Sequence, residues 1–202
     1  MHFLTAGSDR IIRMYNKAFE LEHKFERGVT DNGMWRPSHV NRIFSVRYIS
    51  PTLIASAGWE SPIQLWNTKT GRSEQQLFGS KAGSDCLEPI RDTCMILVSS
   101  AQEGHQLQVY DCVSVHELVK ESERLSAHIP KHEQIIVSRL DSSANRVWAI
   151  SSQTLFVISF ATGDVLKRAA LPAVAISIEL DPTRTDRAIV CCQKGIVLVV
   201  RT

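Results

Sequence analysis

Apolar and polar residues alternate with a period of two along most of this chain, in short runs separated by polar turns. Ile43, Phe44, Val46 and Tyr48 mark one run, residues 53–57 a second, 63–66 a third, and the more polar residues 75–78 a fourth. Residues 58–62 join the second run to the third. Asn67-Thr68-Lys69-Thr70-Gly71-Arg72 supplies a turn of the residue types that fold the chain back readily. The pattern predicts four antiparallel strands. Residues 135–140, 145–151, 154–160 and 165–171 predict four more around Ala161-Thr162-Gly163-Asp164, and residues 174–180, 187–192 and 196–201 predict a last three. No stretch has a convincing amphipathic helical period with caps. Residues 117–126 come nearest, and predict an outer strand or a short helical excursion.

The pattern recurs at the level of particular residues. Thr5-Ala6-Gly7-Ser8-Asp9 leads to Tyr15-Asn16, and Ser56-Ala57-Gly58-Trp59-Glu60 leads to Trp66-Asn67. A hydroxyl opens each copy, glycine follows two residues later, an acid four later, and an aromatic with asparagine behind it closes the unit. A third copy runs from Ser100 to Tyr110-Asp111 without the acid in its turn. The copies start at residues 5, 56 and 100, a spacing that fits the blades of a propeller.

His39, Ile43, Val46 and Tyr48, then Ser56-Ala57-Gly58, then Leu65-Trp66-Asn67 together resemble a WD-repeat of the β-propeller family. Asn67 stands where that family usually has aspartate, and Ser38-His39 where it has Gly-His. The resemblance is specific over residues 3–111 and architectural beyond. It implies an all-β fold of four-stranded antiparallel blades, at roughly residues 1–28, 39–79, 85–126, 134–171 and 173–202 of a single domain. The first blade begins at its second strand and the fifth stops after its third, giving about four and a half blades. Rings of this family close with about seven, in a range of roughly four to eight for propellers. The expectation is therefore a fragment of a larger ring or an unusually small one. A missing segment or a second copy covering the open blade edges is preferred to self-closure, in which residues 174–180 would complete the first blade.

The resemblance also implies a hydrogen-bond set within a blade, here His39, Ser56, Glu60 and Trp66, with Thr5, Asp9 and Tyr15 as its remnant in the first blade. A buried imidazole needs partners on both nitrogens, which a serine hydroxyl and a carboxylate can supply. Glu60 carries one methylene more than the family's aspartate. On the top face the matching positions are Trp59, with Ser8 and Glu103 at its equivalents, and Arg42 and Phe44. The loop Met34-Trp35-Arg36-Pro37 leads into the same blade. Trp59, Phe44, Arg42, Glu103 and Trp35 are thus the candidate partner-binding residues, because aromatics converging with arginine make an interface anchor. The competing expectation packs Phe44 and Trp59 between blades.

Composition narrows the function. Among 202 residues, 23 Lys and Arg against 21 Asp and Glu give a net charge of +2, too small an excess for electrostatic binding to nucleic acid or a membrane surface. Apolar stretches such as residues 196–200 are strand-sized, far below the roughly 20 residues of a spanning helix. The start, Met1 to Asp9, meets an acid early and lacks the pattern of a secretory leader. Cys86, Cys94, Cys112, Cys191 and Cys192 lack metal-ligand spacing and are expected to be reduced and structural. That places the protein inside the cell, cytoplasmic in preference to nuclear. His128 and His132 flank a proline loop and are expected to be solvated.

A serine, a histidine and an acid invite a hydrolase reading. The repeat places them inside a blade, without an oxyanion hole or nucleophile elbow, and phosphate loops are absent. No enzyme, cofactor or metal is expected. The expected function is a non-catalytic protein–protein interaction scaffold in a multiprotein complex, binding through the top face, with homo-oligomerisation as one way to cover the open edges. The alternative is a reader of a modified peptide or small ligand at the central channel, with Phe44, Trp59 and Glu103 as its cage candidates. A propeller enzyme stands behind both.

Overall fold

A computed structural model describes residues 2–30, 32–59, 62–141, 145–184 and 186–202. β1 (Phe3–Thr5), β2 (Ile12–Tyr15) and β3 (Leu21–Phe25) form a first sheet. β4 (Ile43–Ser50), β5 (Leu53–Gly58), β6 (Ile63–Asn67) and β7 (Arg72–Leu77) form a second. The third comprises β8 (Leu87–Ile90), β9 (Met95–Ser99), β10 (Leu107–Asp111) and the short β11 (His116–Glu117). β12 (Val137–Asp141), β13 (Arg146–Ile150), β14 (Thr154–Ser159) and β15 (Val165–Ala170) make the fourth, and β16 (Ala175–Leu180), β17 (Arg187–Cys192) and β18 (Val197–Arg201) the fifth. Sequential strands pair antiparallel within each sheet. The fold is all-β, and five antiparallel sheets of three or four strands are consistent with a partial β-propeller of the WD type.

Burial along the strands shows how the sheets stack. β6 (Ile-Gln-Leu-Trp) and β14 are buried at nearly every position, because neighbouring sheets cover both faces. β2 and β18 alternate instead, since a neighbour covers one face only. Four apolar clusters join the five sheets in order. Phe25, Ile54 and Trp66 sit between the first and second sheets, and Leu65, Leu77 and Leu87 between the second and third. Val109, Val147 and Phe156 link the third to the fourth, and Trp148, Ile178 and Val190 the fourth to the fifth. Among the described residues no such cluster joins the fifth sheet to the first, and β16 does not pair with β1. Among the described residues the first and fifth sheets are separate sheets.

Residues 117–126 end a two-residue strand and then form α1 (Val119–Ser126), so both expected alternatives occur in succession. The reason lies at the edge of β10. Ser122 Oγ accepts from the Val109 amide at 3.0 Å and Ser126 Oγ from the Leu107 amide at 3.1 Å. Two serines four residues apart on one helix face thus satisfy backbone donors that an outer strand would otherwise pair. Leu125 fills the cluster beneath.

Ion pairs tie the innermost strands together. Arg139 of β12 is almost fully buried, and its Nη2 donates to Asp85 at 2.6 Å and to Glu179 of β16 at 2.8 Å. Its Nε reaches Glu179 at 3.0 Å, and Nη1 donates to the Ser138 carbonyl at 3.0 Å. Asp85 also accepts from Arg47 of β4 at 2.5 Å and from Ser45 at 2.5 Å. Arg47, Asp85, Arg139 and Glu179 therefore alternate in charge across four sheets.

Candidate functional site

The second sheet carries both the hydrogen-bond set and the aromatic surface. Ser56 Oγ, on β5, lies 2.7 Å from Nε2 of His39 and accepts from the Trp66 indole at 2.8 Å. With the indole donating to it, the serine gives its own proton to Nε2 of a neutral imidazole. Burial pushes the His39 pKa down to about 4, only partly opposed by its bond to Ser56. Nδ1 of His39 has no partner among the described residues, and Glu60, the acid expected there, lies outside them. Gly58 fits the same packing. A Cβ there would come within 2.6 Å of the Arg42 carbonyl and 3.0 Å of His39 Nδ1, so only glycine admits this approach.

This set is closed to solvent. Ser56 is wholly buried and His39 nearly so, with the hydroxyl held between two rings. It fixes the blade.

The first blade differs from the pattern expected of it. Asp9 forms an ion pair with Arg13 at 2.6 Å and Tyr15 stacks on Phe3 at 5.1 Å, while Thr5 is exposed. No hydrogen bond joins Thr5, Asp9 and Tyr15 among the described residues, because the first sheet has no inner strand bringing an imidazole between them. What the copies do share is the residue behind the aromatic. Asn16 Oδ1 accepts from the Ala18 amide at 2.9 Å, Asn67 Oδ1 from Lys69 at 2.9 Å, and Asp111 Oδ1 from Val113 at 2.7 Å. Each caps the turn that follows.

Beyond Gly58 the chain presents Trp59, whose amide donates to the Arg42 carbonyl at 3.1 Å. Its ring meets Phe44 edge-on at 5.9 Å, and the Arg42 guanidinium lies 5.8 Å from the Phe44 centroid. Trp59 is 46% exposed, Phe44 half-buried and Arg42 exposed. A cavity of about 520 Å³ opens beside Trp59, walled by Pro62, Phe78, Lys81, Ala82 and Ala101. It lies between the β5–β6 turn of one sheet and the connection into the next. Phe78, 67% exposed at the end of β7, is a lining residue that the repeats do not reveal, because it follows a polar run.

Glu103 and Trp35 do not line this cavity. Glu103 is exposed on the β9–β10 loop. Trp35 is exposed on a bridge to Val29, with the Arg27 guanidinium 3.9 Å over its ring. At the opposite end of the strands a polar cavity of about 270 Å³ is lined by Arg47, Glu88, Arg91, Arg139, Glu179 and Asp181 among others. Burial raises the Glu88 pKa although Arg139 is near. Burial also acts to raise that of Asp85, but Ser45, Arg47 and Arg139 together hold it below the ordinary value. Within it Arg139 bonds Glu179 and lies 4.0 Å from Glu88. Among the described residues no cluster of His, Cys, Asp and Glu could hold a metal ion.

No family model matches the chain. A stretch of 72 residues, 36% of the chain, is 33% identical to ribosome biogenesis protein YTM1 of Meyerozyma guilliermondii. That stretch spans 14% of the length of this curated relative.

Proposed function

We propose that the chain is a non-catalytic scaffold that holds partner proteins on the loop face bearing Trp59, within a multiprotein assembly. The apolar cavity between the second and third sheets carries the reading. Its exposed aromatics, Trp59 and Phe78, follow directly on β5 and β7, with Lys81 in the same lining and Arg42 bonded through its carbonyl to the Trp59 amide, the make-up of an anchor with a polar rim. The cation that meets Phe44 is the chain's own Arg42, which favours a protein contact over a cage for a methylated ligand. The similarity to a ribosome biogenesis protein supports protein partners in general, and assembly on a ribonucleoprotein particle is the context we infer from that relative's name. An intracellular, preferably cytoplasmic, site belongs to the same proposal and rests on five cysteines that form no disulfide.

The test is quantitative co-purification with tagged wild-type chain, Trp59→Ala and Phe78→Ala. Each substitution is expected to lower recovery of a saturable partner at least tenfold with the melting temperature unchanged. Equal recovery by all three would overturn the reading.

A further inference from the structure

Two of the five cysteines face each other across one strand pair. The β9–β10 register sets Ile96 against Tyr110 and Met95 against Asp111, so its next step sets Cys94 against Cys112. That step is formed, because the Cys112 amide donates to the Cys94 carbonyl at 2.9 Å. At the far end of the same ladder the Ser100 amide donates to the Gln106 carbonyl at 2.9 Å, so Cys94 and Cys112 occupy a hydrogen-bonded position. Cα atoms at such a position lie about 5.5 Å apart, inside the roughly 4.4–6.8 Å that a disulfide spans. Opposed residues also project to one face of the sheet. Cys112 packs in the cluster that holds Ile96, Val98 and Tyr110, and the alternation of β9 puts Cys94 on that same face, at its rim.

The two thiols are unlinked and differ in environment. Cys94 is exposed, in the turn that precedes β9, where a small solute reaches it. Cys112 is 2% exposed. Burial, with Asp111 and then Cys94 behind it, pushes its pKa up to about 12, which keeps it a thiol that does not react first. One accessible sulfur beside one sheltered sulfur is the arrangement of a reacting and a resolving cysteine. The other three cysteines meet no second cysteine across a strand pair. Cys86 lies opposite Ser99, Cys191 between Ser177 and Val197, and Cys192 opposite Ala175.

We propose that Cys94 and Cys112 form a reversible redox site, which hydroperoxides close into an intrachain disulfide. The Cys94 thiolate attacks one oxygen of hydrogen peroxide, the O–O bond breaks, and the departing hydroxide takes up a proton as water. Cys94 is then a sulfenic acid. The Cys112 sulfur attacks the Cys94 sulfur, the S–S bond forms as the S–O bond breaks, and the released hydroxide takes the Cys112 proton as a second water. Two thiols are oxidised, one peroxide is reduced, and an added dithiol reverses the change. The bond closes the chain on itself from Cys94 to Cys112 and pins the β9–β10 hairpin of the third sheet. Neither cysteine lines the Trp59 cavity, so this site and the proposed docking surface stand or fall separately.

The test exposes the whole reduced chain to hydrogen peroxide, alkylates the remaining thiols and cleaves after basic residues and after glutamate, which separates residues 92–103 from 104–117. These two fragments joined by a disulfide are expected at least tenfold above any other cysteine cross-link, and dithiothreitol should split them. In Cys112→Ala a cyclic dione should trap at least tenfold more Cys94 sulfenic acid than in the wild type, because no thiol resolves it. Cys94→Ser, a change at an exposed turn, should leave Cys112 reduced at the same dose of peroxide. Chains joined to one another through Cys94 overturn the proposal, as does Cys94 carried to the sulfinic acid with Cys112 still a thiol. Equal dione trapping in wild type and Cys112→Ala also overturns it, because Cys112 then resolves nothing.

Discussion

Ser56 Oγ stands 2.7 Å from His39 Nε2, both side chains shut away from solvent, with the Trp66 indole donating to the same oxygen. One hydroxyl therefore satisfies two ring nitrogens contributed by different parts of the second blade. Ser56→Ala leaves both without a partner, and each orphaned group costs about 1–3 kcal/mol. We expect a loss of roughly 2–4 kcal/mol in denaturant unfolding. Trp66→Phe leaves His39 bonded and should cost less. A Ser56→Ala chain as stable as wild type would show that the bonds are not formed.

The same histidine makes stability depend on pH. Its folded pKa, about 4, lies below the ordinary 6.5. Between those values the unfolded chain binds a proton that the folded chain refuses, so stability falls as pH is lowered through the window. The slope approaches about 1.4 kcal/mol per pH unit and the total about 3 kcal/mol. His39→Gln should flatten that part of the profile measured by urea titration. A wild-type profile level from pH 6.5 to 4 would contradict the burial of a neutral imidazole.

The strands were legible because each sheet alternates or fills with apolar residues as its neighbours require, and the 51-residue offset between Thr5 and Ser56 exposed the repeat, while the common face of Trp59 and Phe44 came only from the resemblance to a WD-repeat. Other features carried no local signal. Arg139 finds Asp85 across 54 residues and Glu179 across 40, so no window along the chain contains the ion pairs. In α1, Ser122 and Ser126 look like surface polar residues, yet they serve the edge of β10. Thr5, Asp9 and Tyr15 kept the repeat's spacing without its hydrogen bonds, because spacing does not report whether the inner strand is there.

Gly163 offers a test of backbone geometry. It holds φ at +79°, and a Cβ there would run into the carbonyl and side chain of Arg124 at the end of α1. Gly163→Ala combines left-handed strain with a clash and is expected to cost about 2 kcal/mol or more. Gly7 has open space around its Cβ position, so Gly7→Ala should be within roughly 0.5 kcal/mol of wild type. Equal melting temperatures for the two variants would mean that α1 does not pack on the turn after β14.

Arg139 should matter more to stability than any exposed cation in the chain. Its side chain is 6% exposed, against 29% for Arg47, and it bonds carboxylates from two neighbouring sheets. Arg139→Met keeps the aliphatic stem but leaves Glu179 and the half-buried Glu88 without their cation, while Asp85 keeps Arg47 and Ser45. Because the carboxylates left behind keep some access to water, the expected cost is about 2–3 kcal/mol, below that of a fully buried broken pair. Arg47→Met leaves Asp85 still bound to Arg139 and Ser45, and should cost about 1 kcal/mol or less. The two losses should also differ in salt, since screening reaches the exposed pair and not the buried one. Glu179 is the polar tie between β12 and β16, so amide exchange in β16–β18 should rise in Arg139→Met before exchange in β4–β7 does. If exchange rises evenly across all five sheets, Arg139 serves general stability and does not clamp the fifth sheet to the fourth.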